Sequence, residues 1–154
     1  MAAALVSAFG VQASEITLYL SQPGKSAQSA YVAAAMEPEL SNSTFKIERF
    51  DSRTTGALPQ GSSAAWDVGV YTAVGGAAAI ANAGVYGGAG GAGKYLSPGA
   101  NGGVSVMLDK PARYFGFWWS AGDASNKVDL YDVTDTLVAT FTTADLVAFL
   151  NKNP

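Results

Sequence analysis

Residues 104–141 read VSVMLDKPARYFGFWWSAGDASNKVDLYDVTDTLVATF, and how they are parsed decides the fold. Four runs stand out: Val104–Leu108, Arg113–Trp119, Lys127–Asp132 and Leu137–Phe141. Each is short and rich in β-branched or aromatic residues, which suit the pleated, half-buried surface of a sheet. The intervening DKPA, SAGDASN and VTDT carry the Pro, Gly, Asn, Asp and Ser that turns use. Four short strands joined by short turns predict an antiparallel meander within a sandwich or barrel. The expected class is mainly β, an antiparallel β-sandwich of jelly-roll type with one or two short helices.

Side-chain parity divides the aromatic run. Phe115, Phe117 and Trp119 share one strand face with Arg113, while Tyr114 and Trp118 share the other. On the next strand Val128 and Leu130 oppose Lys127, Asp129 and Tyr131. Pairing these two strands puts Phe115, Phe117 and Trp119 over Val128 and Leu130 as core. Tyr114, Trp118 and Tyr131 then face outward. Rings exposed beside polar groups can stack on the apolar face of a sugar, so Trp118 and Tyr131 are candidate ligand-binding residues. The commoner fate of such a ring is covered packing.

Working upstream, ITLYL (16–20), TFKIERF (44–50) and WDVGVYTA (66–73) read as strands. An alanine-rich helix is expected over 26–37, stopped by Pro38. Residues 75–103 hold 11 of the 18 glycines and read as a long loop, with a short strand at Ala77–Ala81. Downstream, TTADLVAFLN predicts a closing helix over 143–151, with Thr142 or Thr143 as its N-cap.

Composition narrows the chemistry. The 154 residues suit one domain, and the chain is long enough to bury a core of its own. Net charge is −3 and the pI about 4.7, with no basic cluster, so no nucleic-acid partner is expected. Histidine and cysteine are both absent. That removes Ser-His-Asp and Cys-His nucleophiles, the usual zinc sites and thiol redox chemistry. Carboxylate or lysine chemistry, or a hard oxygen-ligated cation, remains.

The N-terminal MAAALVSAFGVQASE carries an apolar run from Ala2 to Val11. Val11 and Ala13 suit the −3 and −1 positions of a signal-peptidase site before Ser14. The run is too short for a transmembrane helix, and no other segment resembles a stable membrane span. Residues 1–13 are therefore expected to be a signal-peptide remnant, ahead of one β-sandwich domain over 14–154. No Lys or Arg precedes the run, so an ordinary apolar terminal helix is the alternative. Export to the cell surface or beyond follows from the first reading.

Several motifs resemble chemistry. Gly88–Gly93 matches GxGxxG and Gly88–Lys94 matches GxxxxGK, but neither has the strand before and helix after that would aim a phosphate at a helix N-terminus. Asp123, Asp129, Asp132 and Asp135 lie close in sequence, but without the facing pair a glycosidase needs. Asp132 and Asp135 fit a hairpin turn better. Asp123 and Asn126 sit in a tight loop with Asp129 just beyond, which makes calcium the one cofactor to consider. The simpler reading is an Asx turn joining two strands. Asp123 and Asn126 are also placed to accept hydroxyl hydrogen bonds beside Trp118 and Tyr131.

The run FGFWWSAGDASN, followed by LVATFTTADLVAFL and preceded by the weaker match GGAGGAGKY, resembles bacterial exosortase-dependent surface proteins of the PEP-CTERM type. The resemblance covers roughly 50–151. It implies an exported all-β domain, an extracellular or envelope role and a C-terminal sorting tail, with no catalytic residues. These 154 residues include no such tail, so either a fragment or a shortened relative is expected. The function expected is a non-enzymatic surface or extracellular-matrix protein with an extracellular polysaccharide as partner. Its rivals are a structural assembly module, such as an envelope or phage decoration protein, and a carboxylate-based glycoside hydrolase. Sequence leaves the oligomeric state open.

Overall fold

The computed structural model describes residues 2–7, 16–20, 46–84, 91–110, 112, 115–119 and 122–152, the first two segments by backbone alone. The helix expected over 26–37, and Tyr114, lie outside the described residues. The chain is mainly β, and every strand pairing is antiparallel.

Two three-stranded sheets form the centre. One has the order β3-β6-β7, from Gly56–Leu58, Ala78–Asn82 and Lys94–Pro98. The other has the order β4-β5-β8, from Ser63–Trp66, Gly69–Val74 and Gly103–Leu108. Chain continuity links them: β3 runs into β4, β5 into β6 and β7 into β8. They are thus three long strands, each interrupted once along a common line. The line crosses 59–62, 75–77 and 99–102. There Gly61 and Ser62 together face Ala73, through the Gly61 amide to the Ala73 carbonyl at 2.8 Å and the Ala73 amide to the Ser62 carbonyl at 3.1 Å. Two residues against one is a β-bulge, which bends a strand. Gly75 and Asn101, facing each other across the same line, both have positive φ (70° and 59°). Their chains pack so closely that a Cβ on Gly75 would lie 3.2 Å from the Asn101 carbonyl oxygen.

Chain reach shows that the ribbon folds back on itself. Lys46 ion-pairs with Asp109 just past β8, and Asp51 accepts the amide of Lys94 at the start of β7 (2.9 Å). The five steps from Lys46 to Asp51 span about 18 Å at most. The fifteen steps from Lys94 to Asp109 would span about 50 Å as a straight strand. Only a fold near 99–102 brings those ends within reach of one short segment. Burial agrees. Tyr71 and Ala73 are buried on β5, and Ala78 and Ile80 on β6. Parity switches from odd to even across the bend, so both halves turn a face inward in a sandwich-like arrangement.

This differs from expectation at four points. WDVGVYTA is not one strand: Trp66 and Gly69 pair across a turn at Asp67-Val68. TFKIERF is not a strand over its described part, since 46–49 have no ladder and Phe50 has φ 61°. Residues 75–103 are no simple loop, because β6 and β7 pair inside them, Ala78 with Pro98 through Asn82 with Lys94. The four-strand meander is broken as well. β8 pairs with β5, and β9 (Phe115–Trp118) pairs with β1 (Ala2–Ser7). β1 in turn pairs with β2 (Ile16–Leu20), so the order is β2-β1-β9, with Ala2–Ser7 as the central strand.

Only the last expected pair survives. β10 (Lys127–Tyr131) and β11 (Leu137–Thr142) form a hairpin around the Asp132–Thr136 turn. Val128 faces Phe141 and Leu130 faces Ala139, so β11 supplies the apolar partners expected from the aromatic strand. Helix α1 (Thr143–Lys152) follows directly and buries Leu146. Thr142 is its N-cap: its hydroxyl accepts the Asp145 amide at 3.2 Å, and Asp145 accepts the Thr142 amide at 2.9 Å. That reciprocal pair is a capping box with Asp in place of Glu.

Candidate functional site

The loop before β10 is the first candidate. Asp123 Oδ1 accepts both the amide (2.8 Å) and the hydroxyl (2.6 Å) of Ser125. Asn126 Oδ1 accepts the Asp123 amide at 2.8 Å, and the Asn126 amide returns to the Asp123 carbonyl at 3.2 Å. The Asn126 carbonyl accepts the Thr143 amide at 3.3 Å, tying the loop to the start of α1. These bonds, first the Ser125 hydroxyl and then its amide, hold the Asp123 carboxyl below its usual pKa. Asp123 and Asn126 are thus brought together, as an Asx turn.

Asp129 lies on β10 and serves other partners. It accepts Lys127 Nζ at 2.6 Å and, directly across the hairpin, the Thr140 hydroxyl at 2.7 Å. The Lys127 and Thr140 bonds lower its pKa. A calcium ion needs six to eight oxygens. At Asp123, Asn126 and Asp129 it would have to displace an amide, a hydroxyl and an ammonium already bound. Among the described residues no three His, Cys, Asp or Glu gather as metal ligands.

The rings separate in the same way. Phe115, Phe117 and Trp119 do line one face, with centroids 5.9 Å and 5.7 Å apart along the strand. All are half-buried, as is Trp118, so among the described residues the buried core lies instead on β5 and β6, with Leu146 on α1. Trp118 stands opposite Ala2, in the sheet of β1, whereas Tyr131 ends β10 in the other sheet and is 56% exposed. Beside the Asx turn is an open hollow of about 410 Å³, between Asp123 and the Ala144, Val147, Ala148 and Asn151 face of α1. Sequence parsing missed Asn151 and Val147; their spacing of four on the closing helix was the available signal.

The densest charged cluster was also missed. Glu48, its side chain only 3% exposed, accepts Arg53 at 2.6 and 3.1 Å, the Phe50 amide at 2.7 Å and the Asp67 amide at 3.2 Å. Arg53 continues to Asp67 at 2.8 Å and lies 5.9 Å from the Trp66 ring centroid. Phe50 packs edge-on against Trp66 and Tyr71, which are tilted at 45° to each other, with centroids 4.8–5.9 Å apart. Burial raises the Glu48 pKa, but the Arg53 hydrogen bond, the two amides and the Arg53 charge together outweigh it, and the carboxyl sits below its ordinary value. Burial, with Glu48 nearby, pushes the Tyr71 phenol well up. Phe50 at φ 61° is strained for a bulky residue, by about 1–3 kcal/mol. The ring packing and the Glu48 bond hold it there.

Comparison with protein-family models, with curated proteins and with solved structures returns no match. Among the described residues no helix is long and apolar enough to cross a membrane.

Proposed function

We propose that this chain is an exported, non-enzymatic module of the cell surface or extracellular matrix that binds polysaccharide. The observation that carries the non-enzymatic part is the commitment of its acids. Glu48, Asp123, Asp129, Asp132 and Asp145 each accept structural hydrogen bonds and sit below their ordinary pKa. A glycosidase needs one carboxyl raised to act as the acid. With no histidine or cysteine in the sequence, Ser-His-Asp and Cys-His pairs are also lacking. Export is supported by the resemblance of FGFWWSAGDASN to exosortase-dependent surface proteins. A glycan ligand is supported by the hollow, whose apolar floor of Ala144, Val147 and Ala148 is flanked by polar Asp123 and Asn151. Trp118 and Tyr131 do not line the hollow and are tested separately from it.

The test is a glycan array, with reducing-end release measured on the same polysaccharides. Binding weakened by Asp123→Ala or Trp118→Ala, with no sugar released, is the expected result. Sugar release abolished by Glu48→Gln or Asp123→Asn would sink the non-enzymatic reading. Absence of binding to any glycan would sink the ligand class.

A second reading, a structural assembly module, is favoured by one observation. Tyr131, Val133, Leu137 and Val138 are exposed together on the β10–β11 hairpin, Val133 at 75%. Apolar clusters of this kind are common at interfaces. A concentration-dependent oligomer in native mass spectrometry, lost in Val138→Lys, would favour assembly.

A further inference from the structure

We infer that residues 46–53 form a strap that fastens the open mouth of the folded sheet and releases in acid. The strap makes no ladder of its own. Among the described residues, polar contacts at three places along its length hold it instead. Lys46 meets Asp109 at the end of β8. Glu48 gathers Arg53 with the Phe50 and Asp67 amides, at the β4–β5 turn. Asp51 takes the Lys94 amide at the start of β7, while Lys94 Nζ donates to the Asp51 and Arg53 carbonyls at 3.0 and 2.6 Å. These contacts therefore span the free ends of both halves of the sheet, opposite the bend at 99–102.

The elements beneath are held differently. β5 is paired on both sides, by β4 and by β8, with neutral backbone bonds that acid does not remove. Segments with few ladder bonds open first. Phe50 adds to this bias, because release lets it leave the left-handed region. The charged and titratable groups facing Glu48 are Arg53 on the strap, Asp67 on the turn and Tyr71 on β5. Tyr71 stays neutral in acid, and Arg53 keeps its charge. The Glu48 carboxyl is the group that changes.

The sign follows from the direction of the Glu48 shift. A carboxyl held below its unfolded value of 4.5 contributes fully above that pH and loses its contribution as pH falls through the lower folded value. The strap is thus fastened at neutrality, and its hold weakens progressively as pH falls below about 4.5. Opening uncovers Phe50, Trp66 and Tyr71.

Amide hydrogen exchange, corrected for intrinsic rates, tests this on the whole chain. As pH falls from 7 to 3, the Phe50 and Asp67 amides should lose protection progressively, starting below about pH 4.5. The β5 amides should hold theirs. In Glu48→Gln the Phe50 and Asp67 amides should already exchange faster at pH 7 and change little further down to pH 4. Loss of strap and β5 protection together, or full strap protection at pH 3, would overturn the inference. If Glu48→Gln does not fold, the wild-type titration decides alone.

Discussion

Gly69 and Gly61 illustrate how differently two glycines constrain the chain. At Gly69 a Cβ would collide with the Met107 carbonyl across the β5–β8 pair, and the neighbour is backbone that cannot turn aside. At Gly61 φ is 77° but the space around the Cα is open. Gly61→Ala should therefore cost only the left-handed penalty, about 1–2 kcal/mol. Gly69→Ala should cost clearly more, and urea denaturation of the two variants reads the order. Equal losses would mean that β5 and β8 are not packed as described. Phe50 is the residue that sequence could not reveal. Nothing in TFKIERF marks a left-handed phenylalanine, because the contacts that hold it come from Glu48, Trp66 and Tyr71 in the folded chain.

Among elements, helix α1 is the one whose start can be tested to the residue. Thr142 caps it, so Thr142→Ala should lower stability by about 1 kcal/mol. Among the described residues, the hydroxyl of Thr143 is buried without a hydrogen-bond partner. Thr143→Val keeps the shape and removes an unsatisfied group, so it should be neutral or stabilising. Thermal melts of the two variants should move apart, and a larger loss from Thr143→Val would reassign the cap. The pair Thr142–Asp145 also makes the helix start acid-sensitive. Asp145 is lowered by the Thr142 hydroxyl and amide, so its contribution is present above its ordinary 3.8 and fades as pH falls through the lower folded value. Helix, cap window and the β10–β11 hairpin were all legible beforehand, because capping, turn chemistry and strand alternation are local. The pairing of β9 was not, since its partner β1 lies more than a hundred residues away in sequence.

For the whole molecule the question is where the core lies. The aromatic run invites the answer Phe115–Trp119, but these rings are half-buried, whereas Ala73, Ala78, Ile80 and Tyr71 are buried. Ile80→Ala should cost about 2–5 kcal/mol, as for other buried aliphatic truncations. Leu146→Ala should fall in the same range, since α1 docks through that side chain. Chemical denaturation would show whether Ile80 outweighs Phe117→Leu, the conservative change in the aromatic strand. If Phe117→Leu proves the costlier, the centre of the molecule is the β2-β1-β9 sheet instead. The candidate site follows the same division. The Asx turn of Asp123 and Asn126 could be read in sequence, while the α1 face that borders it depends on how the helix docks.

The sequence alone determined what is local or compositional: a mainly β chain, the chemistry that absent histidine and cysteine remove, the last hairpin, the Asx turn and the capped helix. Period-two alternation and turn residues act over a few positions, so they can be read from the string. Tertiary structure alone decided which strands meet, that 75–103 folds into paired strands, and that the sheet bends over a line of bulges. It also decided that Glu48, Arg53 and Asp67 converge. Strand pairing depends on which apolar faces bury together, and bends depend on backbones packed too close for a side chain. Neither is written in any one segment.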